Sequence, residues 1–433
     1  MTVTVTELKS PLGRILQRRA EVQVAAALLD TRVVVVNGAR QSGKSTLVRL
    51  VVQAEQRVDG PATWRTLDDE RTLEAAVADP SGFVDTDDLL VIDEIQRAPR
   101  LLLAMKERVD RDPRPGRYLV TGSARVLGLR ALPDALPGRT ETIELWPFSQ
   151  GEMDGAPDGF VDSAFATGPA MRHESGLRRR DYIERVVRGG FPESLARPSP
   201  ERRQRFLQSY VEDIIVRDVA AMSDIEQVPA MRALIRLVAA RSGQLLVEST
   251  LASGVGLSQK TIGRYIDLLE EVFLIKRIPA WSRNLSARAL STPKVAIVDS
   301  GLAADLLDLD ADYLAEPTAP LGLLLEGFVL MELARQLTWS TRRARLYHYR
   351  TRDGVEVDAV LEDRRGRVVA IEVKASSTVR NDDFRGLRHL AERLGDDFVL
   401  GVVLYTGPET LPFGPKIRAM PVSALWEVGL PQS

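Results

Sequence analysis

The sequence predicts an α/β chain of several domains, on three observations. At 433 residues it is too long for a single core, because domains run to roughly 150 residues. Near its start the apolar run VVVV at 33–36 leads into a glycine-rich loop and then an amphipathic segment, the strand–loop–helix order of a parallel sheet. Near its end two alternating runs flank the polar turn EDRRGR within residues 355–376, as in a strand hairpin. Three domains are expected, over residues 1–195, 196–300 and 301–433.

Composition narrows the chemistry. The chain is 44% hydrophobic and 27% charged, as in an ordinary globular protein, and it has no cysteine. That excludes disulfides, thiol catalysis and cysteine-bound zinc. His173, His348 and His389 are the only histidines, too few for an expected histidine-built metal centre. The stretch MTVTVTELKSPLGRILQRR lacks an apolar signal core, and no run approaches the ~20 apolar residues of a membrane span. A cytoplasmic location with no membrane partner is expected. Net charge is −2, so no global basic field advertises nucleic acid. Arginines are nevertheless clustered at Arg342, Arg343, Arg345, Arg350 and Arg352, and again at Arg178, Arg179 and Arg180. Solvated surface is the ordinary role of such clusters.

Residues 33–46 read VVVVNGARQSGKST, and Gly38 to Ser45 matches G-x-x-x-x-G-K-S. A helix starting near Lys44 would aim its amide N–H groups at phosphate, with Gly38 and Gly43 permitting close backbone approach. The expected ATP-binding set is Gly38, Ala39, Arg40, Gln41, Ser42, Gly43, Lys44, Ser45 and Thr46. Lys44 would pair with the β- and γ-phosphates and the Ser45 hydroxyl would ligate Mg2+. A second apolar run, LLVIDEI at 89–95, ends in two acids. Asp93 belongs beside the metal and Glu94 is placed to polarise a water. A third run, RYLVTGS, ends in Thr121 and Ser123, polar groups for the γ-phosphate or the attacking water. No N-K-x-D guanine motif occurs, which favours ATP.

The pieces GARQSGKSTL, VIDEIQRAP, YLVTGSAR, GRTETIELWPFSQGE and GGFPE occur in this order. In that order the chain resembles a group of prokaryotic AAA+ ATPases that carry a C-terminal domain of uncharacterised function. The resemblance implies an AAA+ core with Ser123 at a sensor position. It also implies that Arg139 senses γ-phosphate or acts across a subunit boundary, in a homo-oligomer or with a protein partner.

Beyond the Gly189-Gly190-Phe191-Pro192 break the chain reads as helical, with helices over 229–241 and from Gln259 to about Val272. Ser249 would cap a short helix, Gly254 to Gly256 would turn, and Ser258 would cap the longer helix. That is the shape of a helix-turn-helix, with Lys260, Arg264 and Tyr265 on the second helix and FLIKRI beginning a wing. Asp267, Glu270 and Glu271 on the same helix would repel phosphate.

In the hairpin, alternation puts Val355, Val357, Ala359 and Leu361 on one face and leaves Asp358 opposite, while Glu372 and Lys374 share a face. A register pairing residues that sum to 730 would set Asp358 across from Glu372. Two hard carboxylates would bind Mg2+ or Mn2+, and Lys374 would orient a water. Upstream, Glu326 interrupts the apolar stripe of LGLLLEGFVLMELARQL, a costly placement without a partner or a metal. The order Glu326, Asp358, Glu372, Lys374 resembles the PD-(D/E)XK, or restriction-endonuclease-like, fold, with Val357 where the motif carries proline. The resemblance implies a metal site of Glu326, Asp358 and Glu372 and catalysis by Asp358, Glu372 and Lys374. The expected protein hydrolyses ATP and acts on DNA or RNA through a metal-dependent nuclease-like domain. The alternative is an ATP-dependent regulatory switch that binds DNA or a protein without cleaving.

Overall fold

The structure is a computed structural model. It describes all residues except 1–9, 55–61, 125–135, 137, 220–226, 285, 287, 289–290 and 431–433. The first nine residues of the stretch read as lacking a signal core therefore lie outside the described residues. No helix among the described residues is long and apolar enough to cross a membrane.

The chain forms two compact units. One comprises Met1–Pro147 with Glu271–Phe273, and the other Phe148–Glu270 with Leu274–Ser433. The boundary therefore falls at 147 rather than at the expected 195, and the expected middle and C-terminal domains form one unit. The cause is a set of buried polar ties that the segment after Pro147 makes with residues far along the chain. The Gln150 N–H donates to Glu332 (3.1 Å), Val161 N–H to the Gln336 side chain (3.1 Å) and Gly190 N–H to Asp299 (2.6 Å). Buried polar groups must be satisfied somewhere, and here their partners lie in the second unit.

The first unit is built on five parallel strands: β1 (Val33–Asn37), β2 (Ala62–Thr66), β3 (Leu89–Asp93), β4 (Tyr118–Gly122) and β5 (Thr140–Glu144), in spatial order β2-β3-β4-β1-β5. The four-valine run of β1 is explained by burial on both faces. Val33 and Val35 pack with Leu101 and Met105 of the helix Leu101–Arg111, while Val34 and Val36 pack with Leu28 and Leu47 of the helices Glu21–Asp30 and Lys44–Gln53. A strand covered on both sides needs no alternation.

In the second unit the helices Glu248–Val255 and Gln259–Glu271 meet at a turn where Gly256 has φ +76°. They are followed by an antiparallel pair, β6 (Ile275–Ile278) and β7 (Lys294–Ile297). Ser258 caps the longer helix as expected, accepting from Thr261 N–H at 3.1 Å. Ser249 does not cap; the shorter helix starts at Glu248 with Val247 at its N-cap, two residues before the expected cap. Tyr265 is core, leaving Lys260 and Arg264 exposed on that helix. A six-stranded mixed sheet completes the unit: β8 (Arg345–Arg350), β9 (Glu356–Glu362), β10 (Val368–Lys374), β11 (Phe398–Tyr405), β12 (Leu411–Pro412) and β13 (Ile417–Pro421), in order β12-β13-β11-β10-β9-β8. The helices Leu321–Trp339 and Arg385–Leu394 pack against it.

The GGFPE piece has a packing role. Gly189 has φ +66°, and Asp299 accepts from Gly190 N–H while capping the helix Ser300–Leu306 through Leu302 N–H. A Cβ at Gly190 would lie 2.2 Å from the Phe148 carbonyl oxygen, a backbone atom that cannot rotate away. Gly190→Ala should therefore destabilise this unit by roughly 2–4 kcal/mol. Thermal unfolding would show it as a fall of more than about 5 °C in Tm, and an unchanged Tm would contradict the packing role.

Candidate functional site

The glycine-rich loop follows β1 and passes directly into the helix Lys44–Gln53. Gly43 (φ +95°) and Gln41 (φ +58°) are left-handed, which gives the loop its curl. A Cβ at Gly38 would lie 2.1 Å from the Leu145 carbonyl oxygen, so only glycine fits there. Lys44 is buried, and its ammonium donates to the Gly38 and Ala39 carbonyls at 3.0 and 2.9 Å. Ser42 Oγ and Asn37 Oδ1 are buried with no hydrogen-bond partner. Arg18, which the sequence reading passed over, braces the loop from outside, donating to Ser42 O (3.0 Å) and Trp146 O (2.6 Å).

Ser45 Oγ donates to both Asp93 oxygens at 3.0 and 2.9 Å, and Thr121 Oγ1 also donates to Asp93. The C-terminal ends of β3 and β4 and the start of the loop helix thus converge, at the point where the order of neighbouring strands reverses and where open α/β sheets bind ligands. Burial raises the Asp93 pKa, against the hydroxyl hydrogen bonds that lower it. A buried carboxylate beside a serine hydroxyl is a hard-oxygen pair suited to Mg2+. With the orphaned Ser42 hydroxyl of the loop, this set of groups fits a magnesium-bound nucleotide.

Glu94 sits next in line in the left-handed region (φ +61°), a conformation costing an ordinary residue about 1–3 kcal/mol and found at functional sites. Its backbone N–H donates to Thr121 Oγ1 at 3.1 Å. Its Oε2 accepts from Ser123 Oγ at 3.1 Å and from Gln96 Nε2, and Gln96 Nε2 also reaches Ser123 Oγ at 2.8 Å. Gln96, the Q of the DEIQ piece, was not singled out by sequence, although it orients both the acid and Ser123.

Arg139 is not brought to this site within the unit. It precedes β5 and its carbonyl accepts from Val33 N–H, at the end of the sheet away from the loop and about 13 Å along β1. Its guanidinium is paired with Asp110. The resemblance puts an arginine before ETIELWPF, and in a parallel strand the residue before the strand lies opposite the nucleotide end.

In the second unit the expected acids gather, with an unexpected guest. Lys294 Nζ lies between Glu326 Oε1 (2.5 Å) and Asp358 Oδ1 (3.0 Å). The other Asp358 oxygen accepts from Val373 N–H at 2.9 Å. Lys374 pairs with Glu372 at 2.8 Å, and Glu372 Oε2 is buried with no partner. Burial and then the Asp358 charge push Glu326 up to about 8 and Glu372 up to about 7. Burial pulls Lys294 down, but Asp358 and Glu326 outweigh it and its pKa is raised. Among the described residues no group of three histidines or acids is arranged to hold a metal ion.

The hairpin register is the expected one: Val368–Glu362, Val369–Leu361, Ala370–Val360 and Ile371–Ala359 each sum to 730. The expected alternation fails. Opposite β8, Tyr347 pairs with Val360 and Tyr349 with Val357, so β9 carries one extra residue. Val357 and Val360 consequently share one apolar cluster, and Val357 does not alternate with Ala359 and Leu361 as expected. The bulge at Asp358–Ala359 re-aims the aspartate, a common device beside functional sites.

Residues 30–154 match the family model described as AAA domain, residues 179–313 match Domain of unknown function DUF8612, and residues 321–425 match Domain of unknown function DUF4143. The uncharacterized protein Rv2008c of Mycobacterium tuberculosis is 30% identical over 437 residues, covering 98% of this chain and 88% of that protein. An uncharacterized protein of Haemophilus influenzae is 28% identical over 220 residues, 49% of this chain and 50% of its own. Among solved structures, the Walker-type ATPase PABY2304 of Pyrococcus abyssi is similar at 13% identity with a TM-score of 0.42, over 67% of this chain and 96% of that one. Loop, acids and family model together make residues 30–154 an AAA-type P-loop ATPase domain, and the chain belongs to the same family as Rv2008c.

Proposed function

We propose that this protein hydrolyses ATP at the P-loop and uses the cycle to control nucleic-acid binding by its C-terminal nuclease-like domain, without cutting. Lys44 would leave the Gly38 and Ala39 carbonyls to pair with phosphate oxygens. Ser45 and Asp93 would hold Mg2+, which supplies charge neutralisation at the phosphates. Glu94, held by Ser123 and Gln96, would accept the proton of the attacking water. The network of Ser45, Asp93, Thr121, Glu94, Gln96 and Ser123 at adjacent strand ends carries the ATPase part. Lys44→Ala should abolish nucleotide binding. Glu94→Gln should keep binding, measured by equilibrium titration, while turnover falls by roughly 10²–10⁴; wild-type turnover in Glu94→Gln would remove Glu94 as the base.

Binding without cutting is supported by Lys294, which occupies the pair of carboxylates that a metal-dependent nuclease would need. The arginines favour a phosphate backbone: Arg345 and Arg350 lie on the edge strand β8 and Arg343 and Arg352 flank it, all four exposed. Arg350 is partly spent on Glu356. Metal-dependent cleavage is a second reading, favoured by the orphaned Glu372 Oε2. Linear and circular DNA incubated with Mn2+, with and without ATP, separates the two. Binding should weaken steeply with salt, and removing Arg343 and Arg345 together should lower the log–log salt slope by about 2. Nicking that Asp358→Ala abolishes would decide for cleavage.

A further inference from the structure

We propose that Lys294 is a built-in cation, holding between Glu326 and Asp358 the place that a divalent metal takes in a nuclease-type cluster. The proposal rests on the nuclease-like reading of these acids and concerns what neutralises them.

Lys294 reaches the cluster from outside both the hairpin and the helix that carry the acids. It opens β7, whose backbone is clamped on both sides of the residue: Leu246 N–H donates to Pro293 O at 2.8 Å and Gly243 N–H to Val295 O at 2.7 Å. Two residues upstream, the Thr292 carbonyl is bonded to the buried His348 ring at 3.0 Å. The side chain is only 6% exposed, so its aim is fixed by packing. Opposite it, Gly243 has φ +88° and a Cβ there would lie 2.9 Å from the Glu326 carboxyl carbon. The backbone thus leaves just enough room for Glu326 to reach the ammonium.

Geometry makes ammonium and metal exclusive. Mg2+ demands oxygens at roughly 2.0–2.1 Å in near-octahedral array, whereas one Nζ hydrogen-bonds to oxygens of both acids. Both Asp358 oxygens are already engaged in this arrangement, one by the Lys294 ammonium and the other by Val373 N–H. A fully buried lysine is costly unless paired, and here the pair is two carboxylates that would otherwise repel each other. One tethered charge meets the need that a metal meets elsewhere, and the C-terminal cluster is assembled without divalent ions.

The test is Mn2+ binding to the full-length, nucleotide-free protein, followed by electron paramagnetic resonance. Wild type and Asp358→Asn should bind the same number of Mn2+ ions. Lys294→Met should bind one more per chain, and the double variant Lys294→Met with Asp358→Asn should lose it again. A wild-type Mn2+ ion that Asp358→Asn removes would overturn the proposal while leaving the nuclease-like reading intact. A folded Lys294→Met protein that gains no ion would overturn both. Should Lys294→Met fail to fold, the wild-type and Asp358→Asn comparison still decides, because only a filled metal place makes those two differ.

Discussion

A carboxylate buried on a strand needs a countercharge, and both units of this protein are arranged around that need. Taking an ion out of water costs several kcal/mol even after relaxation. In the first unit Asp93 is held by the neutral hydroxyls of Ser45 and Thr121, which orient it without neutralising it. In the second, Asp358 is held by the ammonium of Lys294 and by a backbone N–H. On the proposed function, the first acid would hold the cation that arrives with nucleotide. The other has its cation covalently attached.

The same distinction explains the local backbone. Around Asp93 the strain is next door, in left-handed Glu94, whose carboxylate is held by Ser123 and Gln96. Around Asp358 the ladder itself gives way: β9 gains a residue and Val373 N–H turns from backbone pairing to a side chain. The first site thus carries a left-handed residue beside its acid, and the second accommodates its acid with a bulge.

Much of this was legible in the sequence, and what was not has a physical pattern. The loop from Gly38 to Ser45 and the acids at 93 and 94 were readable because each is a contiguous stretch whose chemistry is local. Glu326 was readable because a carboxylate in an apolar helical stripe is anomalous on its own. Lys294 was not, because its partners lie 32 and 64 residues away and a lysine opening a short strand looks like a solvated end. Arg139 lies away from the site of its own unit because likeness gives order along the chain and not the end of the sheet. The domain boundary was misjudged because the ties of Gln150, Val161 and Gly190 to Glu332, Gln336 and Asp299 span 182, 175 and 109 residues. Alternation failed at one residue of β9, and period-two arithmetic has no way to announce a bulge.

We propose that the protein has one divalent site and one self-neutralised cluster. A crystal of the full chain grown with Mn2+ and a non-hydrolysable ATP analogue, with data collected at the manganese edge, tests it directly. An anomalous peak is expected beside Ser45 and Asp93 and none among Glu326, Asp358 and Glu372, with Lys294 still seated between its two acids. A second peak there, with the Lys294 ammonium displaced, would contradict it.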